Sequence, residues 1–546
     1  MKHLNRNEVV RMLLRRFRAG VGLLLLLTLL CCFLPPAAAA DGHVEAVGAA
    51  GFSDTKGHWA WAWIELAHRR GLISGVSQTQ FAPDAPLARS MVVTLLYRTA
   101  GTPNVSLTTV DENGETVRKH YFSDVPEGKW FERPVIWAYE NGLIAGTGEG
   151  LFSPNEPTTR EQMCFILKKF AGLQGKTLSP QIPKTTFADD AEISAWAKDA
   201  VYLFQRCRLV AGVGDGKFAP KRPVKRAEAT VLLVGYLRQT GQLPPKANLV
   251  NPAQDIDDKL LSSMLTELAI EYPGLIRVSS AGTSCEGRDI PMVKFGKGSR
   301  YLYTEANIHA KEHQTTNFVM EVLDEYAYAY ETTGTYDGYN IRALLQKYTM
   351  VILPRVNPDG ANIAQKGFDA AKNPAALRAM IGANQGASQW KSNARGVDLN
   401  RNFPCYWAPV GTGPANKEYG GPYAASEPET KAVVAAMNRY QYDYFLDIHM
   451  AGNAIYFCNT GIDNAFYAAS KAFAQRLCNK TGLKLAYSKD VKSDHTAAAY
   501  ARDRFRHPAL TVELTASTVF PHNSGKFYTE IWPYVKDLYL EAMSYQ

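Results

Sequence analysis

RYLYTEANIHAKEH, residues 300–313, decides how the second half of this chain reads. Its first residues, Arg300 to Glu305, are β-rich and read as a strand. His309 and Glu312 then fall on the turn or short helix just beyond the strand, spaced to converge on one point. Short β-rich runs return at YTMVILP before NPDG (Asn357 to Gly360), at YDYFLDIH ending in His449, and at PALTVEL around Glu513. Helical patterns such as DDKLLSSMLTELAIEYP and NFVMEVLDEYAYAYE alternate with them. That alternation predicts an α/β layered domain with a mixed sheet over residues 254–546. The polar motifs sit at strand ends, where open α/β sheets bind ligands.

A lone H-x-x-E means little in a chain with 11 His, but the ordered series HAKEH, NPDG, DLNRNF (Asp398 to Phe403), DIH and TVEL carries chemistry. His309 and Glu312 need a third ligand from elsewhere, and His449 at the end of an apolar strand is the best candidate. Two His and one carboxylate with a fourth position open make a catalytic rather than a structural zinc shell, implying one Zn2+ per chain. A carboxylate must still move protons, and Glu513, in an otherwise apolar strand, suits that task. Buried there with neither partner nor task it would be costly. HAKEH also matches the inverted motif H-x-x-E-H, in which His309 and His313 bind metal and Glu312 is the base. Under that alternative His449 and Glu513 lose their roles.

At 546 residues the chain exceeds the roughly 250 to 300 at which a single core stops growing, so two or more domains are expected. Residues 1–40 have a basic start, an apolar run from Ala19 to Leu34 and small residues up to Ala40. They read as a secretory signal peptide, the apolar run being shorter than the ~20 residues a membrane span needs. The leader carries six Lys/Arg and one acid, so the mature net charge falls from +8 to +3. No basic stripe remains for a nucleic-acid partner. Six cysteines persist without a C-x-x-C pair, which argues against a cysteine-based zinc site and leaves disulfide pairing unread.

Between leader and catalytic half lie three repeats. FSD, FSD and FAD begin at Phe52, Phe122 and Phe187; Trp59, Trp130 and Trp196 follow; then FAP, FSP and FAP begin at Phe81, Phe152 and Phe218. An Arg at a helix start recurs at Arg89, Arg160 and Arg226, spaced by 71 and 66 residues like the F-x-P turns. Each unit reads as helix, turn, short helix, making the region all-α, with the Phe and Trp positions expected in the core. The units span 50–112, 120–182 and 185–240; residues 241–253, within the Pro-containing QTGQLPPKANLVNPA, read as an interdomain linker open to proteolysis.

The repeats resemble S-layer homology (SLH) repeats, with LARS, TTRE and VKRAE standing where that family has its Thr-Arg-Ala-Glu type motif. The resemblance implies attachment to anionic secondary cell-wall polysaccharide, hence a cell-surface location, with Arg89, Arg160 and Arg226 where the family binds that polymer. The plain alternative is that these Arg are solvated caps, although a cation at a helix start opposes the dipole.

The catalytic half resembles the zinc carboxypeptidase family of the carboxypeptidase A type, and GGPYAASEPET (Gly420 to Thr430) is typical of its bacterial members. The resemblance implies zinc ligands His309, Glu312 and His449, Glu513 as general base and acid, and Asp398 orienting the first His. It assigns Asn400 and Arg401 to gripping a substrate carboxylate. The family's oxyanion-stabilising cation corresponds to Lys391 or to Arg395. Ala499 and Tyr500 replace an Asp-Trp pair common in bacterial relatives, Ala498 stands near the expected pocket floor, and Tyr487 and Tyr500 are the two candidates for the family's mobile tyrosine. The whole implies a secreted, wall-anchored metallopeptidase acting on stem peptides of peptidoglycan at γ-D-glutamyl to diamino-acid bonds. General C-terminal trimming of peptides and a non-catalytic wall-binding module are the alternatives.

Overall fold

The computed structural model describes residues 51–381, 386–416, 418–458, 464–488, 495–515 and 524–545. The expected leader, residues 1–40, lies outside them. No helix among the described residues is long and apolar enough to cross a membrane. Cys164, Cys207, Cys285, Cys405 and Cys478 are free thiols.

Each repeat contributes a helix pair: α1 (Trp61–Arg69) with α2 (Arg89–Thr99), α3 (Glu132–Glu140) with α4 (Arg160–Leu173), and α5 (Ala195–Arg206) with α6 (Arg226–Gln239). The motifs have local causes. The Asp of each F-x-D, at 54, 124 and 189, accepts two backbone N–H groups from the F-x-P turn of its own repeat at 2.7–2.8 Å. Those bonds hold the middle residue of the turn, Ala82, Ser153 or Ala219, at φ of 56–58°. The repeated Phe residues are buried, each contributing roughly 2 kcal/mol of transfer free energy. Trp59, Trp130 and Trp196, expected beside them, are instead 57%, 58% and 48% exposed.

The repeats close into a ring. Leu87 N–H donates to Val224 O, Val224 N–H to Thr158 O, and Thr158 N–H to Leu87 O, at 2.8–2.9 Å, so one backbone bond from each repeat reaches the next and returns. The insert between the first two repeats adds a small hairpin, β1 (Thr108–Val110) with β2 (Thr116–Arg118).

The segment read as a free linker is packed. Leu243 belongs to the ring core and Val250 to the core beneath the large sheet. Tyr272 Oη donates to Lys246 O, and Val250 N–H donates to Asp324 Oδ2. Helix α7 (Asp258–Glu271) lies against α1, with Ile270 inside the ring core. Glu271, 5% exposed, accepts from Arg70 at 3.1 Å, Arg238 at 2.7 Å and the Lys246 N–H at 3.1 Å, while Arg69 forks onto Glu267. Packing at Leu243 and Val250 and hydrogen bonds at Lys246 and Val250 thus fasten the segment that its composition presents as an open linker.

The catalytic half is built on an eight-stranded mixed sheet, in order β3 (Ile276–Thr283), β4 (Asp289–Gly296), β6 (Tyr348–Leu353), β5 (Arg300–Ala306), β7 (Tyr442–His449), β10 (Ala509–Glu513), β8 (Ala454–Cys458), β9 (Lys484–Ser488). Its centre, β6-β5-β7-β10, is parallel. Alternation along each strand feeds two cores: Leu302, Leu446 and Val512 face one, while Tyr303, Phe445 and Ala509 face the other. Burial on both faces explains why these strands read as nearly continuous apolar runs.

Candidate active site

Three neighbouring parallel strands deliver the site. β5 runs into the His309 loop, β7 ends at His449, and β10 ends at Glu513, which is paired in register with His449. The loop after β5 is clamped from several sides. Asn307, at φ 56°, donates its Nδ2 to His309 O at 2.8 Å, Ala310 N–H donates to Lys391 O, and Thr315 Oγ1 donates to Glu312 O. Asn357 of NPDG accepts the Gly360 N–H as a helix cap and donates its Nδ2 to Ile308 O. These bonds place His309 before a single 3-10 turn, Ala310–Glu312, and Glu312 at its end.

Both Nδ1 atoms face Glu312: His309 Nδ1 is 2.9 Å from Oε1 and His449 Nδ1 is 2.9 Å from Oε2. Donor atoms of the three residues lie within 4.8 Å of one another, and all three side chains are buried. The outer ring nitrogens are backed by acids. Asp398 Oδ1 is 3.3 Å from His309 Nε2, an ionic contact rather than a close hydrogen bond, and Asp447 Oδ2 is 2.9 Å from His449 Nε2. Two imidazoles turned inward by outer carboxylates, with one carboxylate between them, fit a divalent zinc ion in ligand type and support.

The electrostatics are those of a cation site. Burial works to raise the Glu312 carboxyl, but His309 and His449 outweigh it and hold it below the usual range. Burial likewise opposes charge on Asp398, and His309 with Lys391 and Arg401 pulls it down. Burial also opposes protonation of His449, yet Asp447 and Glu312 raise its pKa well above the ordinary value. Glu513 is different: burial pushes it up to about 8, with His449 pulling the other way. A Cβ on Gly452 would come within 2.6 Å of Glu513 Cγ, so the Glu513 side chain needs glycine opposite it.

The remaining sequence-derived residues divide. Lys391 donates to Asp398 Oδ2 at 2.7 Å and lies near enough to lower Glu513, whereas Arg395 reaches away to Glu427 at 3.6 Å. That geometry separates the two cations which the sequence left as rivals, with Arg395 outside the cluster. Asn400 faces His449, its Nδ2 at 3.2 Å from Nε2, and its Oδ1 accepts Ala497 N–H. Arg401 is a quarter exposed and donates to Asn400 O. His313 is buried, but the converging group contains His449 in its stead, so the inverted-motif arrangement is not the one formed. Ala498 is buried on the helix Ala497–Phe505. Tyr500 is also buried there, its Oη accepting from Asn438, and Tyr487 is 56% exposed on the edge strand β9. Asp447 was missed from sequence, although D-x-H on a strand puts both side chains on one face.

The ring arginines are neither solvated caps nor free cations. Nε of Arg89, Arg160 and Arg226 donates to the carbonyl of Phe152, Phe218 and Phe81 at 2.8 Å, always in the neighbouring repeat. Nη2 of each reaches a second carbonyl, of Ala145, Ala211 and Ser74, and each guanidinium lies 4.5–4.8 Å over the Phe ring. A groove of about 720 Å³ between the second and third repeats is lined by Trp59, Arg160, Arg208, Arg222, Lys225 and Glu228 among others.

Comparison with known proteins matches residues 261–513 to the zinc carboxypeptidase family and residues 51–90, 121–164 and 186–230 to the S-layer homology domain. The gamma-D-glutamyl-L-diamino acid endopeptidase 1 of Lysinibacillus sphaericus is 30% identical over 283 residues, covering 50% of this chain and 68% of that protein. An amylopullulanase of Thermoanaerobacterium thermosulfurigenes is 32% identical over 192 residues, 35% of this chain but 10% of its own length. The crystal structure of thrombin activatable fibrinolysis inhibitor overlays with a TM-score of 0.45 at 17% identity, covering 54% of this chain and 74% of that one. A family match that runs from helix α7 to Glu513, with a relative at that identity and coverage, leads to one conclusion: the chain carries three S-layer homology repeats and belongs to the zinc carboxypeptidase family.

Proposed function

We propose that this chain is a secreted, wall-anchored zinc metallocarboxypeptidase that hydrolyses the γ-D-glutamyl to diamino-acid bond in peptidoglycan stem peptides. The observation that carries the reading is the convergence of His309, Glu312 and His449 beside Glu513 at the ends of three adjacent parallel strands. The substrate class follows the named activity of the Lysinibacillus relative, and the wall location follows the repeats. In this reading residues 1–40 are a cleaved leader, 50–112, 120–182 and 185–240 the wall-binding repeats, 241–253 their connection, and 254–546 the peptidase. The ring arginines 89, 160 and 226 serve polymer binding by fixing the repeats against one another, and Arg208, Arg222 and Lys225 add cations to the groove that Arg160 lines, Arg222 paired with Glu228 and Lys225 with Asp84.

Held by His309, Glu312 and His449, zinc supplies Lewis acidity that makes water at the site a nucleophile near neutral pH and polarises the scissile carbonyl. Glu513 takes a proton from the attacking water as its oxygen bonds to the carbonyl carbon. The carbon–nitrogen bond then breaks, and Glu513 returns that proton to the leaving nitrogen. Lys391 stabilises negative charge developing on the carbonyl oxygen. Asp398 and Asp447 keep Nδ1 of each His turned inward. Arg401, with Asn400, holds a free carboxylate of the released residue.

Mass spectrometry of digests compares purified stem peptides with ordinary peptides bearing a free C-terminus, for wild type and Glu513→Gln with zinc content determined. Stem-peptide cleavage lost in Glu513→Gln with zinc retained is the expected result. Release of C-terminal residues from ordinary peptides alone would make it a general carboxypeptidase, and zinc without turnover would make it a binding module.

A further inference from the structure

Arg401 has a neighbour that a simple carboxylate grip does not need. Its Nη2 stands 3.6 Å from Oε1 of Glu418, with the two side chains 25% and 46% exposed. Glu418 has a φ of 65°, in the left-handed region that side chains adopt only against steric resistance. The turn carrying it is fastened to the catalytic segment itself. Asp398 N–H donates to Tyr419 O at 2.8 Å, and Asn402 Nδ2 and Trp407 Nε1 both donate to Gly420 O. A Cβ on Gly420 would fall 2.5 Å from Arg401 O, so the turn and Arg401 are in direct backbone contact. Glu418 is thus set beside Arg401 by the same bonds that hold Asp398.

The separation decides what this pair can do. At 3.6 Å the two groups are electrostatically joined but lie beyond good hydrogen-bond length, so each keeps capacity for a ligand. A ligand offering only a carboxylate competes with Glu418 for the guanidinium and is repelled by it. A ligand offering a carboxylate and an ammonium satisfies both groups. The α-nitrogen of the released residue is tied up in the scissile bond, so that ammonium must be a second amino group.

Resting on the assignment of Arg401 as the carboxylate grip, we propose that Glu418 is a specificity residue, whose carboxylate takes the side-chain ammonium of a diamino acid while Arg401 holds its carboxylate. The site then discriminates against mono-amino residues of equal size by an unpaired charge rather than by a clash.

The test uses the full-length zinc-loaded enzyme and two peptides that differ by one group, γ-D-glutamyl-L-lysine and γ-D-glutamyl-L-norleucine. Wild type should prefer the lysine peptide in kcat/KM by about 10-fold or more, a modest ratio because the pair is partly exposed. Glu418→Gln should lower kcat/KM on the lysine peptide, mainly through KM, and raise it on the norleucine peptide. Glu418→Asp should restore part of the preference. No lysine preference in wild type, or the same preference in Glu418→Gln with zinc bound, would overturn the proposal. Arg401→Met separates the underlying reading: loss on both peptides upholds the grip, and wild-type rates on both would remove the grip and the Glu418 proposal with it.

Discussion

In the repeat ring each locking arginine ends on main-chain carbonyls, whereas in the peptidase site each buried carboxylate faces another ionisable side chain. Arg160 and Arg226, 9% and 6% exposed, bond carbonyl oxygens whose positions the fold fixes and whose charge never changes, with Arg160 adding one acid, Glu228, at 3.3 Å. Glu312, Asp398 and Glu513 lie among His309, His449 and Lys391, so their protonation depends on what the site holds. The same burial therefore has opposite uses. In the ring, charge joins parts that are distant in sequence; in the site, it is held ready for a cation and a proton, at some cost in stability.

The largest effect that could break this contrast lies at Glu513. Glu513→Gln should lower kcat by roughly 10³-fold, as removal of a general base does. It should also leave the melting temperature equal or higher, because it removes a carboxyl that burial already disfavours. Calorimetry beside turnover tests this, and a large loss of stability would mean that Glu513 supports the fold like the ring arginines. Arg226→Met is the counterpart. It strips Phe81 O and Ser74 O of a donor and should cost about 3 kcal/mol of unfolding free energy in denaturant titrations. The kcat of the zinc-loaded, folded fraction should not move; if it falls, ring and site are coupled. At the junction, Glu271→Ala leaves Arg70 and Arg238 without their shared acid and should cost about 2 kcal/mol. Limited proteolysis should then cut within residues 241–253 faster than in wild type, and an unchanged rate would show that apolar packing alone holds the segment.

Legibility followed the same division. His309, Glu312, His449 and Glu513 could be found because strand ends are readable and because few residue types bind zinc or move protons. Asp447 escaped although it sits two residues before His449, since the strand YDYFLDIH carries a second acid, Asp443, and the register that turns Asp447 toward His449 Nε2 shows only once the strand is folded. Lys391 and Arg395 could not be separated, because the turn between them, where Asn393 Oδ1 accepts the N–H of Arg395 and of Val397, is set by side-chain bonds with no periodic signature. In the ring, recurrence was legible but its cause was not. Trp59, Trp130 and Trp196 recur in register and yet are exposed, for repetition marks a shared constraint and not burial. A cation at a helix start called for a reason, and that reason is a carbonyl in the neighbouring repeat, 63 residues away for Arg89 and 145 for Arg226. Closure of a ring is a non-local fact that no window of sequence contains.

The last effect, at most about 1.4 kcal/mol within any one pH unit, sharpens the contrast within the peptidase half. Glu321, on the helix α8 (Gln314–Glu331), is 3% exposed. Burial pushes it up to about 8, against the hydrogen bond donated by Tyr528 Oη at 2.9 Å. The unfolded chain releases this proton near the ordinary value of 4.5, whereas the folded protein retains it to about 8. Between those pH values the unfolded state binds fewer protons, so Glu321's contribution makes stability fall as pH rises, by at most about 1.4 kcal/mol per pH unit for one group. Glu321→Gln should flatten that part of the pH–stability curve while leaving the acid limb intact. If the slope between pH 5 and 8 survives the substitution, the protons belong to other groups, and Asp324, which burial raises to about 6, is the next to replace.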